Sequence, residues 1–139
     1  MTTQTAANPT TNNGAIARAA YDAYVTKNRV ALEGLIAKDF HFTSPLDNRL
    51  DRETYFHRCW PNSKTIEAFD FINLFTDEDR VFVTYEGRNT NGHRFRNTEI
   101  LTIRDNLIVD VEVYFGWSLP HAAPQGGFID RPASESQPG

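Results

Sequence analysis

The stretch LIVDVEVYFGW (107–117) alternates so regularly that only a strand lying on a core can satisfy it. Val109, Val111, Val113, Phe115 and Trp117 share one parity, and Asp110, Glu112 and Tyr114 the other. Side chains alternate with a period of two, so the buried face fixes the register. The tight turn Asp105-Asn106 joins this strand to HRFRNTEILTIR (93–104), and the two predict a hairpin. If the valine face is inward, Leu101 and Ile103 turn inward with it, and so do Asn97 and Glu99 of the same parity. Burial disfavours the charged form of a carboxyl, so Glu99 on an apolar wall is expected to titrate above its usual range and to serve as an acid or base near neutrality. The alternative arrangement puts Thr98, Ile100 and Thr102 inside and leaves Glu99 in solvent, or paired with Arg94 or Arg96.

Everything after Pro61 reads as strand. IEAFDFINLF (66–75) is extended, RVFVTYEGR (80–88) alternates, and the acidic TDEDR and the Asn-Gly of NTNG (89–92) supply turns. Helices come first. GAIARAAYDAYVTKN (14–28) carries Ala17, Ala20, Tyr21, Tyr24 and Val25 at helical spacing, with Asn12 or Asn13 as cap. RVALEGLIAKDF (29–40) predicts a second helix, burying Val30, Leu32, Leu35 and Ile36. FHFTSP is extended, LDNR (46–49) is a turn, and DRETYFHRCW (51–60) is a third helix capped by Asp51 and ended by Pro61. Helices followed by an antiparallel run imply an α+β fold, with helices on one face of a curved sheet that encloses an apolar pocket.

The remaining composition narrows the function classes. A net charge of −4 with scattered basic residues argues against nucleic acid as the main partner. The single cysteine, Cys59, leaves no internal disulfide and no multi-cysteine metal site, which fits a reducing cytoplasm. None of His41, His57, His93 and His121 has the spacing of a metal-ligand pair, so neither a metal nor a cofactor is expected. Residues 1–13 have no basic and apolar segments of a signal peptide, and no apolar run reaches membrane-spanning length. Composition predicts polar tails at 1–13 and 118–139 around one domain at 14–117, with Phe128 and Ile129 able to dock the second tail. Ten Phe, five Tyr and two Trp suit a domain lined by large side chains.

The order of elements resembles the NTF2-like superfamily, and within it the SnoaL-like and ketosteroid-isomerase-like proteins. The resemblance rests on the aromatic-x-x-Pro step Phe42-Thr43-Ser44-Pro45, the helix from Asp51 to Trp60, the hairpin GHRFRNTEILTIRDN, and the closing strand VEVYFGW. It implies a cone-shaped barrel of three helices and a bent sheet, with a pocket at the wide end and commonly a homodimer through the sheet. The isomerases carry a catalytic Asp just before a Pro. This chain has Ser44 there, and Asp47 three residues on either substitutes for it or shapes the PLDN turn.

By the same resemblance Tyr21 matches the helix-one tyrosine that steadies an enolate oxygen, and Glu99 stands near the family's protonated Asp. The implied function is a pocket protein for a small hydrophobic molecule: an acid–base isomerase, cyclase or lyase acting on a hydrophobic carbonyl or polycyclic compound. Glu99 would shuttle a proton and Tyr21 hold the oxyanion, with Asn97 and Ser44 as accessory contacts. Phe56, Trp60, Tyr85, Phe115 and Trp117 are the expected walls. The alternative is a non-catalytic ligand-binding or dimerisation module, which Ser44 in place of the Asp supports.

Overall fold

The computed structural model describes residues 13–126. The readings made on Asn12, on Phe128 and Ile129, and on most of both tails lie outside the described residues. Three helices, α1 (Asn13–Val25), α2 (Arg29–Glu33) and α3 (Arg52–Arg58), and a 3-10 turn (Trp60–Lys64) pack on six strands. The strands are β1 (Ile36–Ser44), β2 (Asp47–Asp51), β3 (Ile66–Asp77), β4 (Arg80–Asn89), β5 (Arg94–Arg104) and β6 (Leu107–Leu119). Their order across the sheet is β2-β1-β6-β5-β4-β3, with β1 parallel to β6 and every other pair antiparallel. The sheet is strongly curved and does not close into a barrel. Register shifts interrupt four of the five strand pairs, two of them at two points, and each such bulge adds bend and twist.

The second helix is much shorter than its sequence predicts. Asn28 caps it by accepting from the Ala31 amide at 3.0 Å, and Gly34 closes it by donating to the Val30 carbonyl. The chain then turns into β1, where Ile36 and Phe40 are buried on the strand, and Val30, expected inside, is 79% exposed. LDNR is likewise more than a turn. Asp47–Asp51 returns as β2 because the Ser44 hydroxyl accepts the Leu46 amide at 3.0 Å, which folds the chain back sharply after Pro45. Asp51 caps α3 as expected, accepting the Thr54 amide at 2.9 Å.

The core lies between the concave face of the sheet and the helices. Ala17 and Leu32 from the helices meet Phe40, Val81, Val83, Leu101, Ile103 and Ile108 there. The hairpin parity expected for β5 is observed, with Leu101 and Ile103 buried and Thr84 and Thr98 hydrogen-bonded on the other face. On β6 a register shift lets Ile108 pair with Ile103, so Ile108 takes the inward place expected of Val109. Two close approaches require glycine. A Cβ on Gly87 would enter the Phe95 ring, and one on Gly116 would strike the Arg96 carbonyl at the β5–β6 bulge. Phe95 can therefore lie across β4 toward the interior.

Candidate functional site

A cavity of about 360 Å³ opens between the helices and the concave sheet. Its walls are largely aromatic and aliphatic, and include Leu32, Phe40, Phe42, Phe69, Phe95, Leu101 and Val113. Glu99 projects into it from the middle of β5, directly opposite Val113 on β6 and Val83 on β4. A carboxyl in such surroundings needs donors, and two phenols supply them. Tyr21 Oη donates to Oε1 at 2.9 Å, and Tyr85 Oη donates to Oε2 at 2.7 Å. Asn97 Nδ2 donates to the Tyr85 oxygen at 3.2 Å, while its Oδ1 accepts from the Gly116 amide at 3.3 Å.

Each partner is held by its element. Tyr21 sits on the buried face of α1, its ring packed edge-on to Phe69 and Phe71 at centroid distances of 5.1 and 5.3 Å. Tyr85 packs against Tyr21 and Phe69, with its backbone paired to Asn97 two residues from Glu99 on β5. A second phenol pair, Tyr24 Oη and Tyr55 Oη at 2.7 Å, also lines the cavity. One of these two hydroxyls gives its proton to the other, so the acceptor's own proton is left for another group.

Burial raises the titration range of Glu99 above that of an ordinary carboxyl, and the hydrogen bonds from Tyr85 and Tyr21 partly offset the rise. The phenols of Tyr21 and Tyr85 are pushed well above their usual value, first by burial and then by the nearby Glu99 charge. They remain proton donors at any physiological pH. Cys59 also borders the cavity, and burial, with the Asp47 carboxylate adding to it, pushes its thiol up to about 11. It is a poor nucleophile there.

The structure brings together Glu99, Tyr21, Asn97, Tyr85, Ser44 and Phe115 around this cavity. It places three of the expected wall residues elsewhere. Phe56 is buried in the core beside Tyr55, carries the Arg29 and Arg52 guanidiniums over its ring, and does not line the cavity. Trp60 packs behind Tyr24 at 5.0 Å between centroids and braces it from the rear. Trp117 lies against His121, the rings tilted at 44°, and lines a shallow groove with Phe95 and Phe115 outside the main cavity. Phe115 stands at the boundary of both and is 51% exposed.

Sequence reasoning left the Tyr24–Tyr55 pair out of the site, and it weighed Asp47 only as a substitute base or a turn residue. The two tyrosines were legible only as stripe residues of their helices, since the contact joins positions 31 apart in the chain. Asp47 lines the cavity while its carboxylate accepts from Arg58 Nη2 at 2.8 Å and from the Ser44 hydroxyl at 3.1 Å. Among the described residues no three His, Cys, Asp or Glu side chains lie together as a metal site would need, and no helix is long and apolar enough to cross a membrane.

Solved structures share this architecture at low identity, which speaks to the fold alone. A candidate ketosteroid isomerase from Kribbella flavida superposes with a TM-score of 0.69 at 17% identity, covering 91% of this chain and 94% of that one. A LEH-like epoxide hydrolase from M. tuberculosis gives 0.66 at 12% identity, covering 77% and 84%. A candidate polyketide cyclase from Sinorhizobium meliloti gives 0.61 at 20% identity, covering 71% and 93%. No curated protein matches the sequence. The model of the SnoaL-like domain matches residues 17–111, most of the folded part, and this chain belongs to the SnoaL-like domain family of NTF2-like proteins.

Proposed function

We propose that this protein is a cofactor-independent acid–base enzyme acting on an uncharged, hydrophobic, enolisable carbonyl compound, with Glu99 as the proton carrier. The observation that carries this reading is the Glu99 carboxyl, set in an apolar cavity and accepting from two buried phenols. Such a carboxylate is more basic than one in water, and the two hydrogen bonds it accepts take up only part of its capacity of about four. Glu99 takes a proton from the carbon next to the substrate carbonyl. The C–H pair moves into the new C=C bond, and the carbonyl π pair moves onto oxygen.

Negative charge thus leaves Glu99 and appears on the substrate oxygen. The Tyr21 or Tyr85 proton, no longer needed by a neutral carboxyl, follows that charge. The spare proton of the Tyr24–Tyr55 pair is a further donor. Return of the proton from Glu99 to the same or another carbon completes isomerisation, and expulsion of a neighbouring leaving group completes a lyase reaction. The structural relatives named as isomerase, epoxide hydrolase and cyclase support a small-molecule reading and diverge on the reaction.

The test uses 2-tetralone, a two-ring enolisable ketone, in D2O. Deuterium uptake at its α-carbons, followed by NMR, should be faster with the protein than in matched buffer, and Glu99→Gln should abolish the difference. Binding without faster exchange would instead favour a non-catalytic ligand-binding module. Ser44, where the isomerases carry their base, is the observation on that side.

A homodimer through the sheet is also proposed. The convex face carries Phe75, Phe82 and Ile100 in a single cross-strand row, and Phe75 is 63% exposed. Such a patch favours a partner surface over water.

A further inference from the structure

The cavity holds a second carboxylate that the acid–base reading does not use. Asp47 pairs with Ser44 across the β1–β2 hairpin. Thr43 pairs with Glu112, so Ser44 stands beside Val113, and Val113 pairs with Glu99. Asp47, Ser44, Val113 and Glu99 therefore form one row across the concave face, and all four border the cavity. Three strand spacings separate the two acids, about 14 Å along the sheet and less across its curve.

The local structure around Asp47 is built with care for a surface turn. Arg58 donates to Oδ1 through Nε at 3.0 Å and Nη2 at 2.8 Å, and Ser44 donates to Oδ2 at 3.1 Å. The carboxylate side chain is only 11% exposed, against 53% for Arg58. The arginine thus approaches from the solvent side and the carboxylate faces inward. A shape-only role for Asp47 in the turn would need neither the arginine nor a place in the cavity wall.

The donors that reach the two acids are engaged with them. Tyr21 and Tyr85 give their protons to Glu99, Ser44 gives its proton to Asp47, and Arg58 is directed at Asp47. What Asp47 presents to the cavity is lone pairs, since a carboxylate accepts up to about four hydrogen bonds and this one receives three. A ligand reaching it must bring a donor. Two negative carboxylates facing one cavity, with one half-exposed arginine to balance them, also disfavour an anionic ligand.

We propose that Asp47 is a specificity-determining residue: it accepts a hydrogen bond from a hydroxyl on an uncharged ligand whose carbonyl end lies at Glu99. One hydrogen bond of about 2.8 Å at Asp47 and a reactive contact of about 3.3 Å between Glu99 and the α-carbon leave at most about 8 Å between the ligand's hydroxyl oxygen and that carbon. That is the span of two fused rings carrying the hydroxyl at one end and the ketone at the other. The cavity walls include the apolar side chains of Phe42, Leu101 and Val113, which suit such a skeleton. The substrate class is thus a two-ring hydroxyketone, phenolic or alicyclic. The choice of ketone rests on the proposed function, and the hydroxyl rests on Asp47 alone.

Three probes separate the two claims: 2-tetralone, 6-hydroxy-2-tetralone and 6-methoxy-2-tetralone, the last able to accept a hydrogen bond but not to donate one. Dissociation constants are measured by titration calorimetry on the full chain. The hydroxyketone should bind at least about tenfold tighter than 2-tetralone, as a hydrogen bond to a charged group warrants, and the methoxyketone no tighter than 2-tetralone. In Asp47→Asn the ratio of hydroxyketone to 2-tetralone affinity should fall toward one; taking the ratio within each protein cancels any general loss of affinity. Equal binding of the three ketones by the wild type overturns the assignment, and so does a ratio that survives in Asp47→Asn. If the hydroxyl preference is present without α-deuteration, the catalytic reading fails and the Asp47 anchor stands. If 2-tetralone is deuterated without any preference, the anchor fails and the catalytic reading stands. Failure to bind any of the three overturns both.

Discussion

Tyr85 donates its phenol to Oε2 of Glu99 at 2.7 Å from the adjacent strand, although its backbone partner on β5 is Asn97. The contact is diagonal, and on one face of a sheet a diagonal neighbour is within reach only of a long side chain. Tyr21 reaches the other oxygen from a helix 78 positions away in sequence. The carboxyl is thus fixed from two independent elements, with its orientation set by α1 and β4 together. This is the preorganisation that proton transfer needs, since little reorganisation remains when the charge moves.

Replacing Glu99 by Gln keeps the shape and removes the proposed base. The expected loss in 2-tetralone deuteration is about 100-fold or more, the usual contribution of a positioned general base, with the ketone still bound. The rate is measured in D2O by NMR, and the affinity separately by calorimetry. Retention of the wild-type rate in Glu99→Gln would move the proton carrier elsewhere.

The same carboxyl makes stability depend on pH in a defined direction. Its value in the fold is raised by burial above the 4.5 of an unfolded glutamate. Between those two values the folded state binds more protons than the unfolded one, so stability is full below about 4.5 and falls as pH rises through the folded value. Glu99→Gln does not titrate and should escape this fall. Urea midpoints measured from acid to neutral pH should show the variant gaining on the wild type as pH rises. A difference that stays flat across that window would mean that Glu99 is not desolvated.

Tyr21→Phe and Tyr85→Phe test the two phenols separately. Each removes one hydrogen bond that favours the ionised carboxyl, so each should raise the titration midpoint of Glu99 further. At a pH where Glu99 is ionised the stability cost should be about 1.5–3 kcal/mol per phenol, the worth of a hydrogen bond to a charged group. It should shrink in acid. Carbon-detected NMR titration of the glutamate carboxyl gives the first quantity and denaturant unfolding the second. If either variant lowered the midpoint, the corresponding phenol would be stabilising the neutral acid instead.

Much of this site could be read from residue parity, and the parts that could not have physical causes. Leu101 and Ile103 point inward with Glu99 because a period of two leaves a strand only one choice once its partner's face is known. The parity failed where a bulge intervened, at Val109, since an inserted residue resets the face locally. The helix expected to reach Phe40 failed for another reason. Its apolar spacing suits either period, and the cap at Asn28 and the stop at Gly34 decided against length. Contacts between distant elements, such as Tyr24 with Tyr55 or Arg58 with Asp47, leave no mark on local pattern. Phe56 and Trp60 show the converse, for aromatic character alone says nothing of which side of a helix faces the cavity.

The dimer proposal is tested on the face opposite the cavity. Phe75 and Phe82 are cross-strand partners, and Ile100 lies beside Phe82 on β5. Arg80 lies over the Phe82 ring, with its guanidinium 5.2 Å from the centroid, and forms one edge of the patch. Because Phe75 is the most exposed of the three aromatic and aliphatic side chains, it should contribute most to a partner contact. Phe75→Glu places a charge where a second copy would bury it, and desolvating an unpaired carboxylate is costly. It should weaken self-association by about 30-fold or more, the level of an interface hot spot. Sedimentation velocity over a range of concentrations measures this. Since Phe75 faces away from Glu99 and lines no part of the cavity, ketone binding should persist in the dissociated protein. A wild type that sediments as a monomer throughout would remove the interface, and a Phe75→Glu dimer would move it to another surface.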